Sequence, residues 1–121
     1  MMNYAQMKKL LLSIDNPVER LELMMDFGRG LSIVPDGAIC AEITGCASFV
    51  QICQKNGKFY GRADSDVVRG IVAIVLAMVA DKTTEEIKAM DIIGEFQTLN
   101  LNLGVGRLNG LNSIADFLKN L

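Results

Sequence analysis

The stretch Ile39–Tyr60, with the sequence ICAEITGCASFVQICQKNGKFY, decides the fold because the spacing of its apolar residues changes from helical to extended. Ile39, Ala41 and Ile43 alternate with the residues between them, and this alternation is typical of a strand. The small residues Gly45-Cys46-Ala47-Ser48 then interrupt the pattern. The sequence therefore predicts a strand that ends in a short loop centred on a cysteine.

Two further strands follow this loop. Phe49–Gln54 resumes a strand pattern, and Asn56-Gly57 separates it from Lys58–Tyr60. Asn-Gly between two apolar runs is the strongest short-range hairpin signal. Parallel strands need crossovers of about a dozen residues. The tight connections therefore predict a three-stranded antiparallel sheet.

Helices are predicted on the N-terminal side of the sheet. Tyr4–Leu12 has the composition of a short helix. Asp15-Asn16-Pro17 offers a side-chain cap and a proline where a missing N–H is harmless, so it marks the start of a second helix. Gly28 and Gly30 are suited to end it.

Helices are also predicted after the sheet. Asp64-Ser65-Asp66 caps a helix that continues to about Ala80 and is apolar on almost every side, so we expect it in the centre of the molecule. Three more helices follow: one opened by the capping box Thr83–Glu86 and running through Met90, one over Ile92–Leu99, and one marked by Leu111, Ile114, Ala115 and Leu118. The segment Gly104–Gly110 is interpreted as a plain loop between helices. The order α-α-β-β-β-α-α-α-α predicts an α+β fold.

Length, charge and composition exclude several classes of function. The chain has 121 residues, so residues 1–121 are expected to form a single domain. A net charge of −2 without a basic cluster argues against nucleic acid as a partner. The longest apolar run, Ile71–Ala80, is half of a membrane crossing, and no secretory signal is recognisable, so we expect a cytoplasmic protein without a membrane partner. The absence of histidine excludes Ser-His-Asp and Cys-His catalysis.

Cys46 is the candidate reactive residue because it lies in a loop between small neighbours. Cys40 and Cys53 fall inside predicted strands, where we expect small, buried, reduced side chains. A thiol without a histidine to activate it suits reactions in which a partner supplies an activated sulfur electrophile. Thiol exchange or sulfur transfer is therefore favoured over hydrolysis.

A metal site is the alternative use of the three cysteines. The spacing Cys40-x5-Cys46-x6-Cys53 lacks the close C-x2-C pairs of structural zinc sites, and Asp64 or Asp66 would have to complete the ligand set. A metal or iron–sulfur scaffold therefore stays open as a second hypothesis, although we predict no bound metal and no cofactor.

Three ordered blocks give the chain a resemblance to a known family. Ile43–Val50 resembles the V-x-G-C-x-S-x-V block of the SufE family of sulfur-acceptor proteins. Ala63–Ala73 is similar to the D-S-D block and following V-K/R-G-L-x-A helix of that family. Arg107–Leu111 is similar to its S-R-x-N/Q-G-L block, with Gly106 in place of the serine. The resemblance covers about residues 21–118.

The resemblance implies a SufE/IscU-like fold and a site. Cys46 matches the acceptor cysteine, which takes persulfide sulfur from a PLP-dependent cysteine desulfurase of the SufS or CsdA kind and passes it to an iron–sulfur scaffold. Asp66 matches an aspartate beside the cysteine loop, and Arg107 matches an arginine facing the same site. A fixed positive charge there would favour thiolate and persulfide anions.

Two other functions fit the same resemblance. The chain could be an iron–sulfur or metal scaffold on the related fold, or a regulator of a desulfurase that carries no sulfur itself. In the favoured hypothesis it is a covalent sulfur carrier and desulfurase activator rather than a stand-alone enzyme.

Overall fold

The computed structural model describes residues 2–121 and contains six helices and one three-stranded antiparallel sheet within them, in the order expected from the sequence. The elements are α1 (Tyr4–Leu12), α2 (Pro17–Arg29), β1 (Ile39–Glu42), β2 (Val50–Lys55), β3 (Lys58–Ala63), α3 (Asp66–Val79), α4 (Thr84–Ala89), α5 (Ile92–Gln97) and α6 (Val105–Lys119). The predicted α+β class and the order of its elements are therefore confirmed. Across residues 2–121, every helix is too short or too polar to cross a bilayer.

The sheet has the strand order β1-β2-β3, with both pairs antiparallel. Asn56 and Gly57, at the turn between β2 and β3, have φ angles of 52° and 78°. Two consecutive positive φ values define the hairpin turn that Asn-Gly favours, because its twist matches that of the flanking strands. The predicted hairpin is confirmed.

The predicted helix starts are confirmed by their caps. The Asn16 side chain accepts hydrogen bonds from the first backbone N–H groups of α2, and Pro17 is the first helical residue. Ser65 caps α3, with its hydroxyl accepting from the Val68 N–H, and Thr83 forms a reciprocal capping box with Glu86. Each cap satisfies an N–H that the helix itself leaves without a partner.

Helix α3 forms the centre of the core, as its apolar sequence predicts. Nine of its residues, from Gly70 to Val79, are buried. One side covers the sheet, where Gly61 of β3 lies directly against the Val72 side chain. The other side meets α2 at two glycines: a Cβ on Gly28 would lie 2.6 Å from the Gly70 nitrogen, and a Cβ on Gly70 would lie 2.5 Å from the Met24 carbonyl oxygen. The two backbones can approach this closely only because neither glycine has a side chain.

The expectation of a loop over Gly104–Gly110 is wrong. Helix α6 begins at Val105, and Gly104, with a φ of 80°, is the residue before it. Glycines cost about 1 kcal/mol each inside a helix, but burial of an apolar helix face outweighs such a propensity. The buried face here is formed by Gly110, Leu111, Ile114, Ala115 and Leu118. Arg107 consequently lies in the first turn of a helix.

The expectation of reduced, buried thiols at Cys40 and Cys53 is also wrong. Cys53 is fully buried, but Cys40 is exposed, and a disulfide joins the two. The physical reason is the register, because Cys40 of β1 lies directly opposite Cys53 of β2 with their Cα atoms 4.0 Å apart. Burial tendency alone does not reveal which positions of two strands face each other.

The contact between α2 and α3 can be tested with two glycine substitutions. Gly70→Ala places a methyl group against the Met24 backbone, so we expect the free energy of unfolding to fall by about 1–3 kcal/mol. Gly106→Ala is the matched control, since nothing lies within 4 Å of its added Cβ. Urea unfolding should show no loss, or a gain of up to about 1 kcal/mol, for Gly106→Ala. Equal effects of the two substitutions would contradict the close contact.

Candidate functional site

The loop that carries Cys46 extends from the end of the sheet beyond β1 and β2. At its base the Ile43 N–H donates to the Val50 carbonyl at 2.8 Å. On the other side the Phe49 carbonyl accepts from the Asp64 N–H at 3.3 Å. The loop between them, residues 44–48, contains no fully buried residue. Its ends are therefore fixed by the sheet, while its tip is not part of the core.

Helix α6 packs against this loop. Gly45, with a φ of 87°, approaches α6 so closely that an added Cβ would lie 2.6 Å from Ser113 Oγ. The Cys46 thiol donates to the Gly110 carbonyl oxygen at 3.8 Å, a long contact typical of a weak sulfur donor. A Cβ on Gly110 would lie 3.6 Å from Cys46 Sγ, in ordinary van der Waals contact. The Cys46 sulfur therefore contacts the backbone of α6 at Gly110.

Cys46 opens into a cavity of about 400 Å³ between the loop, the start of α3 and the start of α6. Apolar side chains form much of its wall, including Val68, Ile71 and Ile114. Arg107 lines the same cavity, and in residues 2–121 its guanidinium forms no hydrogen bond or ion pair. The cavity therefore combines one thiol, one unpaired cation and a largely apolar wall.

The Cys46 thiol is harder to ionise than an ordinary thiol. Burial raises the pKa of Cys46, because the surrounding apolar groups solvate a thiolate less well than water does. Cys46 is nevertheless only partly buried, and it lines the cavity. A cysteine of this kind is a weak spontaneous nucleophile, so reaction at Cys46 depends on an activated electrophile.

The structure brings together two of the three residues singled out in the sequence. Cys46 and Arg107 line one cavity, and so do Ser65 and Val68, but Asp66 between them does not. The Asp66 carboxylate lies 3.3 Å from an Arg69 guanidinium nitrogen. Arg69 in turn donates from Nε to the Ala63 carbonyl at 2.7 Å. Asp66 thus contributes to the junction between β3 and α3 that forms one edge of the cavity.

Metal-ligand geometry gives no support to the scaffold hypothesis. Between Met2 and Leu121, no three Cys, Asp or Glu side chains are grouped closely enough to hold a metal ion. Cys40 and Cys53 are also joined in a disulfide, so neither is available as a thiolate ligand for such a site.

Two supporting residues were not singled out in the sequence as part of the site. Gly110 and Ser113 contact the cysteine loop from α6, 64 and 68 residues away from the residues they touch. A glycine within a helix often indicates that another group packs against the helix there. This is the sequence feature that could have indicated Gly110 as a contact. Nothing in the sequence identifies that group as Cys46.

Comparison with known proteins assigns the family. The model of the SufE family, described as an Fe-S metabolism associated domain, matches residues 5–121. The chain belongs to the SufE family.

Named relatives cover most of the chain. The Sulfur acceptor protein CsdE of Escherichia coli is 31% identical over 81% of this chain and 73% of its own length. An uncharacterized SufE-like protein of Haemophilus influenzae is 32% identical over 85% of this chain and 89% of its own. The Cysteine desulfuration protein SufE of Wigglesworthia glossinidia brevipalpis is 31% identical over 88% and 81%, respectively.

The burial of the Cys46 thiol can be tested by alkylation. Because iodoacetamide reacts with the thiolate, a raised pKa makes the reaction at neutral pH slower than that of free cysteine. The rate should continue to rise until the pH exceeds the ordinary thiol value of about 8.5. In denaturant the midpoint of the pH profile should return to that value, and the Cys46→Ser chain should not react. A native midpoint below that of free cysteine would contradict burial as the dominant influence.

Proposed function

We propose that this chain accepts sulfur on Cys46 from the active-site persulfide of a PLP-dependent cysteine desulfurase and passes it to iron–sulfur cluster assembly. Membership of the SufE family and relatives named as sulfur acceptor and cysteine desulfuration proteins support this role. The observation that carries it is the position of Cys46: a free, partly accessible thiol that shares a cavity with Arg107.

The proposed transfer is a thiol exchange. The Cys46 thiolate attacks the terminal sulfur of the partner's persulfide, a new S–S bond forms on Cys46, and the partner's cysteine leaves as a thiolate. The thiol proton of Cys46 is released in this step. One sulfur atom changes carrier without an external oxidant or reductant. The partner's cofactor breaks the carbon–sulfur bond of free cysteine, so this chain needs no cofactor of its own.

Arg107 has the charge and position to support this exchange. A persulfide is more acidic than a thiol, and its anion would be poorly solvated by an apolar wall alone. Arg107 lines the same cavity, and its guanidinium carries a permanent positive charge. We assign Arg107 the role of stabilising the sulfur anion on Cys46.

Asp66 is assigned a positioning role. Its ion pair with Arg69, together with the Arg69–Ala63 hydrogen bond, fixes the start of α3 against the end of β3. Ser65, the neighbour of Asp66, forms part of the cavity wall. Asp66 therefore acts on the site through the backbone rather than by touching sulfur.

The proposal also includes the compartment and the acceptor. A cytoplasmic location fits a protein that depends on one reduced thiol, since thiols persist in reducing compartments. The sulfur on Cys46 would then pass to an iron–sulfur scaffold by the same exchange chemistry.

Transfer to Cys46 can be measured by mass spectrometry. After incubation with a SufS- or CsdA-like desulfurase, PLP and cysteine, we expect the native chain to gain the mass of one sulfur atom, located at Cys46. The Cys46→Ser chain should gain none. An equal adduct on Cys46→Ser would overturn the carrier role. Full stimulation of desulfuration by Cys46→Ser would favour the regulator hypothesis.

Substitution of Arg107 tests the role of its charge. Arg107→Gln should slow sulfur transfer to Cys46 by about tenfold, the effect of losing roughly 1.4 kcal/mol of charge stabilisation. Arg107→Lys is the matched control and should retain most of the rate because it keeps the charge. A lysine variant as slow as the glutamine variant would show that charge is not the contribution of Arg107.

Substitution of Asp66 tests positioning. Asp66→Asn removes the ion pair with Arg69, and we expect a several-fold loss of sulfur transfer that Asp66→Glu partly restores. Asp26→Asn removes the equivalent ion pair with Arg29 on α2 and serves as the control. The pH profile of Cys46 alkylation should shift for Asp66→Asn but not for Asp26→Asn. Identical behaviour of the two asparagine variants would refute a specific role.

A further inference from the structure

The disulfide lies on the face of the sheet opposite to α3. Ile52 and its register partner Gly61 face α3, since Gly61 contacts Val72. Side chains alternate along a strand, so the adjacent row must face the other way. That row is Cys40 of β1, Cys53 of β2 and Tyr60 of β3, in direct register. The disulfide is therefore outside the core between the sheet and the helices.

The two sulfurs differ in how easily a reagent reaches them. Cys53 lies between Cys40 and Tyr60 in the register and is 0% exposed, whereas Cys40 is an exposed residue on an edge strand. Thiol exchange requires that the attacking sulfur reach one sulfur of the disulfide. Cys40 is the side from which this disulfide can be opened.

Strand β1 has few other contacts to hold it. It is an edge strand with β2 as its hydrogen-bonded neighbour, and none of its four residues is buried. Ile39, its largest apolar residue, is 81% exposed. Segments with few buried apolar contacts have low local stability. The pairing with β2 and the covalent bond from Cys40 to Cys53 are therefore what attach β1.

Strand β1 also leads directly into the cysteine loop. Glu42 ends the strand, Ile43 makes the backbone hydrogen bond to Val50, and the loop carrying Cys46 follows. Loosening β1 weakens the support on one side of this loop, where buried Ile43 and the α6 contacts remain, while the other side stays attached through Phe49 and Asp64.

We propose that the Cys40–Cys53 disulfide is a thiol-exchange site, opened by thiol reductants, whose redox state sets how firmly β1 and the Cys46 loop are held. The attacking thiolate forms a mixed disulfide with Cys40 and releases Cys53 as a thiolate, which takes up a proton. A second thiolate attacks the reductant's sulfur in that mixed disulfide and frees Cys40. Two reductant thiols are oxidised to one disulfide, and the protein disulfide gains two electrons.

Both redox states are compatible with the fold. Once reduced, Cys53 is a small and largely apolar buried side chain, and Cys40 is a thiol in contact with solvent. Reduction therefore buries no charged group. In the cytoplasm, the compartment proposed above, disulfides are usually transient and respond to the redox state.

Hydrogen exchange on the Cys46→Ser chain tests this inference, because the only remaining cysteines are then Cys40 and Cys53. Under denaturing alkylation, the chain should take up no alkyl group before treatment with dithiothreitol and two after it. The amides of residues 39–48 should exchange about 10- to 100-fold faster in the reduced chain, the effect of removing one cross-link on a segment of low local stability. The amides of α3 should not change.

Cys40→Ala in the same background is the matched control. Since Cys40 is exposed, its replacement leaves the core intact, and this variant should exchange as the reduced chain does with or without dithiothreitol. Two alkyl groups without reductant, or equal exchange over residues 39–48 in both redox states, would overturn the proposal. Sulfur transfer is not measured, so failure here is separate from failure of the Cys46 carrier role.

Discussion

The structure depends on the burial of α3 from nearly every direction. A helix with nine buried residues needs apolar partners on several sides, and the sheet, α2 and α6 supply them. The glycines at positions 28 and 70 allow the backbones of α2 and α3 to touch, and Gly61 allows the Val72 side chain of α3 to pack directly on the sheet. These contacts fix the start of α3, the end of β3 and the start of α6 relative to one another, and the Cys46 cavity lies between those ends.

Much of this architecture is encoded locally and could be predicted from the sequence. Caps and turns depend on hydrogen bonds and backbone angles of residues that are neighbours in the chain. Examples are the Asn16-Pro17 start of α2, the Thr83–Glu86 capping box and the Asn56-Gly57 turn. The apolar run of α3 likewise indicated its central position. The start of α6 was missed because local glycine content argued against a helix there, whereas the burial that stabilises it is a long-range property.

The candidate site was predictable only in part for the same reason. Cys46 was identifiable from its small neighbours and its motif, and Arg107 from its motif, but their shared cavity depends on how α6 packs. The contacts of Gly110 and Ser113 with the cysteine loop join residues more than sixty positions apart. The Cys40–Cys53 bond depends on strand register, which determines which side chains of two strands are opposite. In each case the missing information is a distance between remote segments rather than a residue type.

Arg107 and Gly110 are one turn apart on α6, and the next turn holds Ser113 beside Gly45. Five buried residues anchor this helix to the rest of the core, so it cannot rotate or slide without opening that packing. The cysteine loop, residues 44–48, contains no buried residue and contacts this helix only at its surface. Any displacement that carries the sulfur outward is therefore a hinge motion of the loop relative to a stationary α6. Such a motion separates Cys46 from the Gly110 carbonyl, while the backbone of Arg107 stays in place.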